Sequence, residues 1–403
     1  MFLYLQHQTF KIGVYMKNIW IYLLSSYAIC ILLSSCSGSK NSKDKKIYSL
    51  QPGKECIVIP IDDNTNCYSM SMFSYMSPEG IPYLSYENEQ TNELNFYRLD
   101  SCKLSHKIKI AQEGPEAIGR FIGHTVIDLD NILIFDQFKI SRINRNGKIL
   151  DKYNLITDTQ IALCHPPTSK VYAPMIVQDS CIYLYQTLMY SDKPYDGDAL
   201  ERYPLCIKVN MQTKQTEKSP LTYPRLWETE NENGIFTCSR DYDGTNFVYS
   251  FFISNSIYVT HNNQTFKKYP CKSQYINGLP KNNYPLDIQA TQKESIENAS
   301  YGNIIYDKYR KVYYRFFQPA CELNKQDNIA DLMKTGKKFS IMILDKDFQV
   351  IGETLFPENT YIPVMFFVLE DGLYISDNNF QNPEFNENVL SFRRMELTEQ
   401  YEN

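Results

Sequence analysis

The chain is poor in the motifs that announce chemistry. Its 11 cysteines form no C-x-x-C pair, which removes zinc-ribbon and thioredoxin readings. It has no G-x-S-x-G elbow, no H-E-x-x-H helix and no phosphate-binding loop, so the common hydrolase, metalloprotease and nucleotide-binding signatures are missing. The four histidines beyond the N-terminal segment, His106, His124, His165 and His261, stand far apart, and none has a partner at metal-ligand spacing; no metal and no cofactor is expected. With 41 basic against 46 acidic residues the formal charge is −5, which gives no footprint for nucleic acid. No Pro/Gly/Ser-rich linker divides the chain after about residue 50.

What is present begins with LLSSCSGSK, residues 32–40. The segment before Cys36 carries Lys17, an apolar middle and small residues at Ser34 and Ser35, the pattern of a secretory signal, with Met16 read as the start of translation. Its apolar run of roughly fifteen residues is short for a membrane-spanning helix. Leu-Ser-Ser-Cys resembles a bacterial lipobox, which implies a signal peptide over 1–35 and acylation of Cys36. Two or three acyl chains anchor durably where one does not. Residues 36–50, including SGSKNSKDKK, then read as a solvated tether to a single domain over 51–400. The expectation is an exported lipoprotein anchored in the outer membrane. The basic tether leaves its periplasmic or surface orientation open.

Beyond the tether the pattern is short strands rich in Tyr, Phe, Ile and Val, separated by Asn, Asp, Gly and Pro. Residues 124–155 show it best: VIDLDN and ILIFD flank a turn at Asp130-Asn131, KISRIN alternates, and Asn146-Gly147 turns the chain into KILDKYNL. Comparable units start near 54, 175, 236, 301 and 364, which makes six, of roughly 40 to 70 residues. This spacing predicts an all-β, six-bladed propeller of four-stranded antiparallel blades, with seven blades as the other count. DIQATQKESIENA and DNIADLMKTGKK are helical inserts, either capping the propeller's end or decorating loops. Most of the nine cysteines after Cys36 read as buried small hydrophobes, with one or two disulfides open to an exported protein.

Glu113-Gly114-Pro115-Glu116 with the meander that follows resembles the motif and blade of six-bladed, NHL/TolB-like propellers in Bacteroidetes lipoproteins. YGNIIYDKYRKVYYRF resembles a segment of one group among them, the domain of unknown function 4221. The resemblance covers roughly residues 50–400 and brings no catalytic residues with it.

Candidate chemistry therefore rests on the residues themselves. Asp241-Tyr242-Asp243-Gly244-Thr245-Asn246 begins like a calcium loop, but position twelve is Phe252, so it reads as a hairpin turn. The densest polar-aromatic stretch holds Asp307, Tyr309, Arg310, Tyr313, Tyr314 and Arg315. Alternation sends Tyr314 and Phe316 to one face, and Tyr313, Arg315 and Phe317 to the other. Arg310, Tyr314, Arg315, His124 and Arg240 are the ligand-binding candidates. An arginine beside rings holds acidic or sugar groups, whereas a blade strand with a paired arginine is the structural alternative. The 32 tyrosines suit sugar stacking and half-buried strands alike. The reading is a binding or scaffold module for a peptide, glycan or envelope-protein partner, with no reaction identifiable. The rivals are a propeller hydrolase or lyase acting on glycans, and a structural subunit of an envelope complex.

Overall fold

The computed structural model describes residues 46–119, 122–136, 138–155, 169–186, 204–223, 237–279 and 287–401. The signal segment, Cys36, Cys164 and His165 lie outside them. Residues 47–400 form one compact unit, and among the described residues it is built of strands with two short helices. No helix among these residues is long and apolar enough to cross a membrane.

The chain enters through β1 (Lys46–Pro60), so residues 46–50, expected in the tether, are already strand. Four four-stranded antiparallel meanders follow. The first holds β2 (Met72–Met76), β3 (Pro82–Asn88), β4 (Glu93–Arg98) and β5 (Lys103–Lys109). The second holds β6 (Gly123–Asp128), β7 (Asn131–Phe135), β8 (Lys139–Ile143) and β9 (Ile149–Asn154). The third holds β10 (Ile176–Gln178), β11 (Cys181–Tyr185), β12 (Cys206–Asn210) and β13 (Thr216–Lys218). The fourth holds β14 (Cys238–Tyr242), β15 (Phe247–Phe251), β16 (Ser256–Thr260) and β17 (Lys267–Pro270).

The remaining strands are β18 (Ser300–Asp307), β19 (Val312–Gln318), β20 (Ser340–Leu344), β21 (Val350–Leu355), β22 (Ile362–Leu369), β23 (Gly372–Ser376) and β24 (Val389–Tyr401). With β1 they make one eight-stranded sheet, ordered β18-β19-β20-β21-β1-β24-β23-β22. The described residues thus form five hydrogen-bonded sheets rather than six separate ones. The cause is local: β1 runs parallel to β21 at Tyr48 and Gly352, and a Cβ at Gly352 would stand 1.8 Å from the Tyr48 carbonyl oxygen. Only a residue without a side chain lets the two backbones touch. On its other edge β1 meets β24 in the opposite sense, Ser49 facing Thr398 (Oγ to Oγ1, 2.9 Å) while the Ile61 amide reaches the Asn388 carbonyl (3.0 Å).

Middle strands are buried along their length in β15, β16, β20 and β23, whereas the outer β5, β13 and β17 are largely exposed. A strand buried on both faces needs a neighbouring sheet on each side. The apolar clusters supply them in a cycle. Phe96 packs with Ile134 between the first and second meanders, Phe135 with Leu184 between the second and third, and Tyr185 with Tyr249 and Phe251 between the third and fourth. Val248 packs with Tyr313 between the fourth meander and β18–β21, and Phe316 with Phe366 between β18–β21 and β22–β24. Phe367 with Tyr86 then brings β22–β24 back onto the first meander. The four-stranded sheets and this closed cycle of contacts fit a propeller-like, all-β fold.

Local readings fare unevenly. Tyr314 and Phe316 do lie in one cluster, and Tyr313 and Phe317 in the other. Asp243–Asn246 is the hairpin turn between β14 and β15, closed by the Asp243 amide on the Asn246 carbonyl at 3.1 Å. At Asn146-Gly147, however, only Gly147 takes positive φ (77°). The turn closes from the Gly147 amide to the Asn144 carbonyl (2.9 Å), because the Asn144 side chain accepts from the Asn146 and Lys148 amides and fixes a longer loop. The inserts are helices α1 (Ile288–Glu297), capped by Asp287, and α2 (Ile329–Thr335), capped by Asn328 and ended by Gly336 at φ 64°. The eight cysteines at 56, 67, 102, 181, 206, 238, 271 and 321 are all free thiols.

Candidate functional site: a blind pocket at one end of the central channel

The first strands of four groups, β2, β14, β18 and β22, converge on one space. β14 and β18 meet there through side chains: Ser239 Oγ accepts from the Ile304 amide (2.9 Å), and Asp241 Oδ2 accepts from the Tyr306 amide (2.6 Å). Ser74 Oγ on β2 donates to the Val368 carbonyl on β22 (3.3 Å). Where β2, β14, β18 and β22 end, they enclose a cavity of about 500 Å³. A second cavity, about 280 Å³, lies where β18 and β22 begin, roofed by Ile296 of α1 and Leu332 of α2.

The floor of the larger cavity is Val171 and Pro174, from a segment that crosses the middle of the ring. The Val171 amide donates to the Met70 carbonyl (2.7 Å), and the Tyr172 carbonyl accepts from the Arg240 amide (2.8 Å) and Ser239 Oγ (2.7 Å). Ser169 pairs with Gly123 in a parallel bridge. A Cβ at Gly123 would lie 2.5 Å from the Ser169 carbonyl oxygen, so Gly123→Ala is expected to displace this segment and cost about 1–3 kcal/mol, read by urea unfolding.

His124 holds the same segment from below. Its Nδ1 meets Ser71 Oγ at 3.0 Å and its Nε2 meets Ser85 Oγ at 2.7 Å, while its carbonyl accepts from Ser169 Oγ at 2.7 Å. Its ring stands edge-on to Phe73, a pocket-wall residue, at 5.1 Å. Complete burial, with the Lys170 ammonium nearby, pushes the imidazole pKa down to about 3. The unfolded chain takes up this proton near pH 6.5 while the fold refuses it, so stability is full above pH 6.5 and falls toward pH 3 by about 1.4 kcal/mol per pH unit. Glu87, ion-paired with Lys170 at 3.0 Å, has its carboxyl pushed up by burial and contributes with the opposite sign. Urea unfolding at pH 7 and pH 5 is expected to show about 2 kcal/mol more loss for the wild type than for His124→Gln; equal losses would contradict this role.

The other sequence candidates occupy three places. Arg315 is fully buried, its guanidinium 3.7 Å from the Tyr301 ring centroid, and donates to Ser250 Oγ (2.9 Å) and to the Cys271 (2.7 Å) and Ser254 (2.7 Å) carbonyls. Arg240 is likewise buried and donates to the Pro174 (2.9 Å) and Tyr183 (3.1 Å) carbonyls. Neither guanidinium presents a surface to solvent in this conformation. Arg310 and Tyr314 are brought together by Asp307, which accepts from Arg310 Nε and from the Tyr314 hydroxyl (3.1 Å). Arg310 also donates to the Leu369 and Glu370 carbonyls, each at 2.8 Å, and so ties the ends of β18 and β22 at the pocket rim.

The pocket walls hold none of the ligand-binding candidates, although the sequence marks Asp241–Gly244 as a calcium-like turn and Tyr309 within the polar-aromatic stretch. They carry the partly exposed rings of Phe73, Tyr75, Tyr242, Tyr306 and Tyr309, with Asp241, Asp243 and Lys308. Asp241 accepts from the Tyr242 amide (2.8 Å) as well as from Tyr306, yet burial pushes its carboxyl up to about 6. Asp243 accepts from the Tyr313 hydroxyl, from Asn246 Nδ2 (3.0 Å) and from the Thr245 and Asn246 amides. The signal that finds these residues is their shared position, at the end of the first strand of a unit. Among the described residues no group of three His, Cys, Asp or Glu is placed to hold a metal ion.

A family model described as Domain of unknown function (DUF4221) matches residues 47–355. A crystal structure of a member of that family from Bacteroides vulgatus is 30% identical, covers 89% of this chain and 100% of its own, and superposes with a TM-score of 0.80. A Bacteroides fragilis protein is 11% identical over 89% of this chain and 97% of its own, with a TM-score of 0.47. The calcium-binding protein regucalcin from Agrobacterium tumefaciens is 11% identical over 84% and 94%, with a TM-score of 0.44. No curated protein matches the chain.

Proposed function

The chain belongs to the DUF4221 family, and we propose that it is an envelope lipoprotein whose six-bladed propeller recognises a small ligand, or the exposed end of a larger one, in the blind pocket. In this reading the eight-stranded sheet is two blades, β18–β21 and β22–β24 with β1, joined by the parallel contact at Gly352. The N-terminal strand completes the last blade and closes the ring. Cys36 carries the lipid, and the domain stands at the outer membrane on its short tether.

One observation carries the binding role: a cavity of about 500 Å³, open at one end and floored by Val171 and Pro174, falls in the size range of small-molecule sites. Half-exposed rings and a few polar groups on its walls are what such sites use for orientation. A ligand screen by calorimetry on the purified chain tests it. Ile305→Trp, which fills the pocket from β18, is expected to abolish the binding of any ligand found there. A ligand that binds this variant unchanged would place recognition elsewhere. The anchor has its own test: Cys36→Ser is expected to release the protein from membranes, and unchanged association would count against it.

A further inference from the structure

We propose that the ligand of this pocket carries an organic ammonium group, an amine or a quaternary ammonium, on a short apolar frame. The inference rests on the pocket being a binding site and adds the chemical class that it takes.

The rings come from separate strands and converge on one space: Phe73 and Tyr75 from β2, Tyr242 from β14, and Tyr306 and Tyr309 from the end of β18 and the turn after it. Aromatic faces carry negative charge density and attract cations, most strongly where water is excluded. One ring already does so, since the Lys308 ammonium lies 5.1 Å from the Tyr309 centroid.

The charges point the same way. Two carboxylates, Asp241 and Asp243, line the cavity against the single ammonium of Lys308. Further carboxylates stand close enough to act on the wall rings, Asp128 and Glu79 on Tyr75, where Arg145 opposes them, and Asp179 on Tyr242. Of the arginines near this pocket, Arg310 is committed to Asp307 and two carbonyls and Arg145 to Asp130 at 2.8 Å, while the buried Arg240 offsets part of the Asp241 charge from behind the wall. An anion entering here meets like charge.

A neutral sugar fits less well than a cation. Asp243 already accepts from two backbone amides, from Tyr313 and from Asn246, so little of its accepting capacity is left for a ring of hydroxyls, and Asp241 already accepts from two amides. Their negative field is not used up in that way. A cation against the rings responds to the field without needing a vacant lone pair. The raised carboxyl of Asp241 agrees: burial outweighs the two backbone amides and the Arg240 guanidinium that favour its charged form, and a bound ammonium would favour that form further.

The test compares choline with 3,3-dimethylbutan-1-ol, its uncharged carbon isostere, and with cellobiose, by calorimetric or NMR titration of the purified chain. Choline is expected to bind roughly ten-fold or more tightly than the isostere. Tyr306→Leu is expected to weaken it, and Lys308→Met, an exposed change that removes the competing ammonium, to strengthen it. Equal binding of choline and the isostere, or binding of cellobiose alone, overturns the ammonium assignment; if Ile305→Trp blocks that binding, the pocket reading stands. Absence of choline binding at tens of millimolar overturns the assignment too. Choline binding that Ile305→Trp leaves intact would overturn both.

Discussion

Replacing Arg315 with methionine is expected to destabilise the protein by about 3–5 kcal/mol, although the two side chains are similar in volume. The guanidinium is fully buried and lies on β19, between the fourth meander and the β18–β21 group. It closes Ser250 of β15, the carbonyls of Ser254 and Cys271 in the neighbouring loops, and the face of Tyr301 on β18 into one unit. Methionine fills most of the space and satisfies none of those acceptors, and each buried acceptor left unpaired costs about 1–3 kcal/mol. Lysine is expected to recover only part of the loss, because it lacks the planar fork and stacks less well on the ring. Chemical denaturation of the three proteins measures it. A methionine variant as stable as the wild type would mean that Arg315 is kept for something other than holding these sheets together.

Removal of residues 47–60 is expected to have the largest effect of all. Leu50 and Ile59 are fully buried, Leu50 in the cluster between β18–β21 and β22–β24, and Ile59 in the cluster where β22–β24 meets the first meander. The two side chains alone contribute about 1.5–3 kcal/mol each, before any strand pairing is counted. Deletion also leaves β21 and β24 with unpaired edges. Against a net stability of roughly 5–15 kcal/mol for a domain, the loss is enough to remove cooperative unfolding. A synthetic peptide of residues 46–60 added in trans is expected to restore the transition, since the vacated edge is a template for this strand. A truncated protein that unfolds as cooperatively as the intact chain would show that β1 is not the closure. Gly352→Val asks the same question by one residue, because its side chain would collide with the Tyr48 backbone.

These two cases mark where the sequence was informative. Alternation in VYYRFF placed Tyr314 and Phe316 opposite Tyr313 and Phe317, because a strand buried on both faces has only two sides on which to put a side chain. The meander over 124–155 was legible for the same reason, as local hairpins announce themselves through turn residues. Closure by β1 was not, since Tyr48 meets Gly352 across some three hundred residues and no local pattern records a non-local pairing. Residues from 54 onward were accordingly assigned to the first unit, whereas β1 belongs beside β24.

The pocket was the least legible part. Conspicuous arginines drew attention in the sequence, but Arg240 and Arg315 are fully buried and donate to backbone carbonyls inside the fold. Several pocket residues were in view, Asp241–Gly244 as a calcium-like turn and Tyr309 beside Arg310, but strand tyrosines and turn aspartates carry no local mark of a shared pocket. Val171 and Pro174 gave no signal, because their role depends on Gly123 and Ser239 lying beside them in space.

The central claim is that the segment around Val171 closes off the space between β2, β14, β18 and β22, which makes it a pocket rather than a passage. Hydrogen exchange at the Val171 amide tests it most directly. Bonded to the Met70 carbonyl in the middle of the ring, this amide is expected to exchange as slowly as those of the buried β15 and β20 strands. Exchange at the rate of an open loop would mean that this space has no floor, and the binding reading would fall with it.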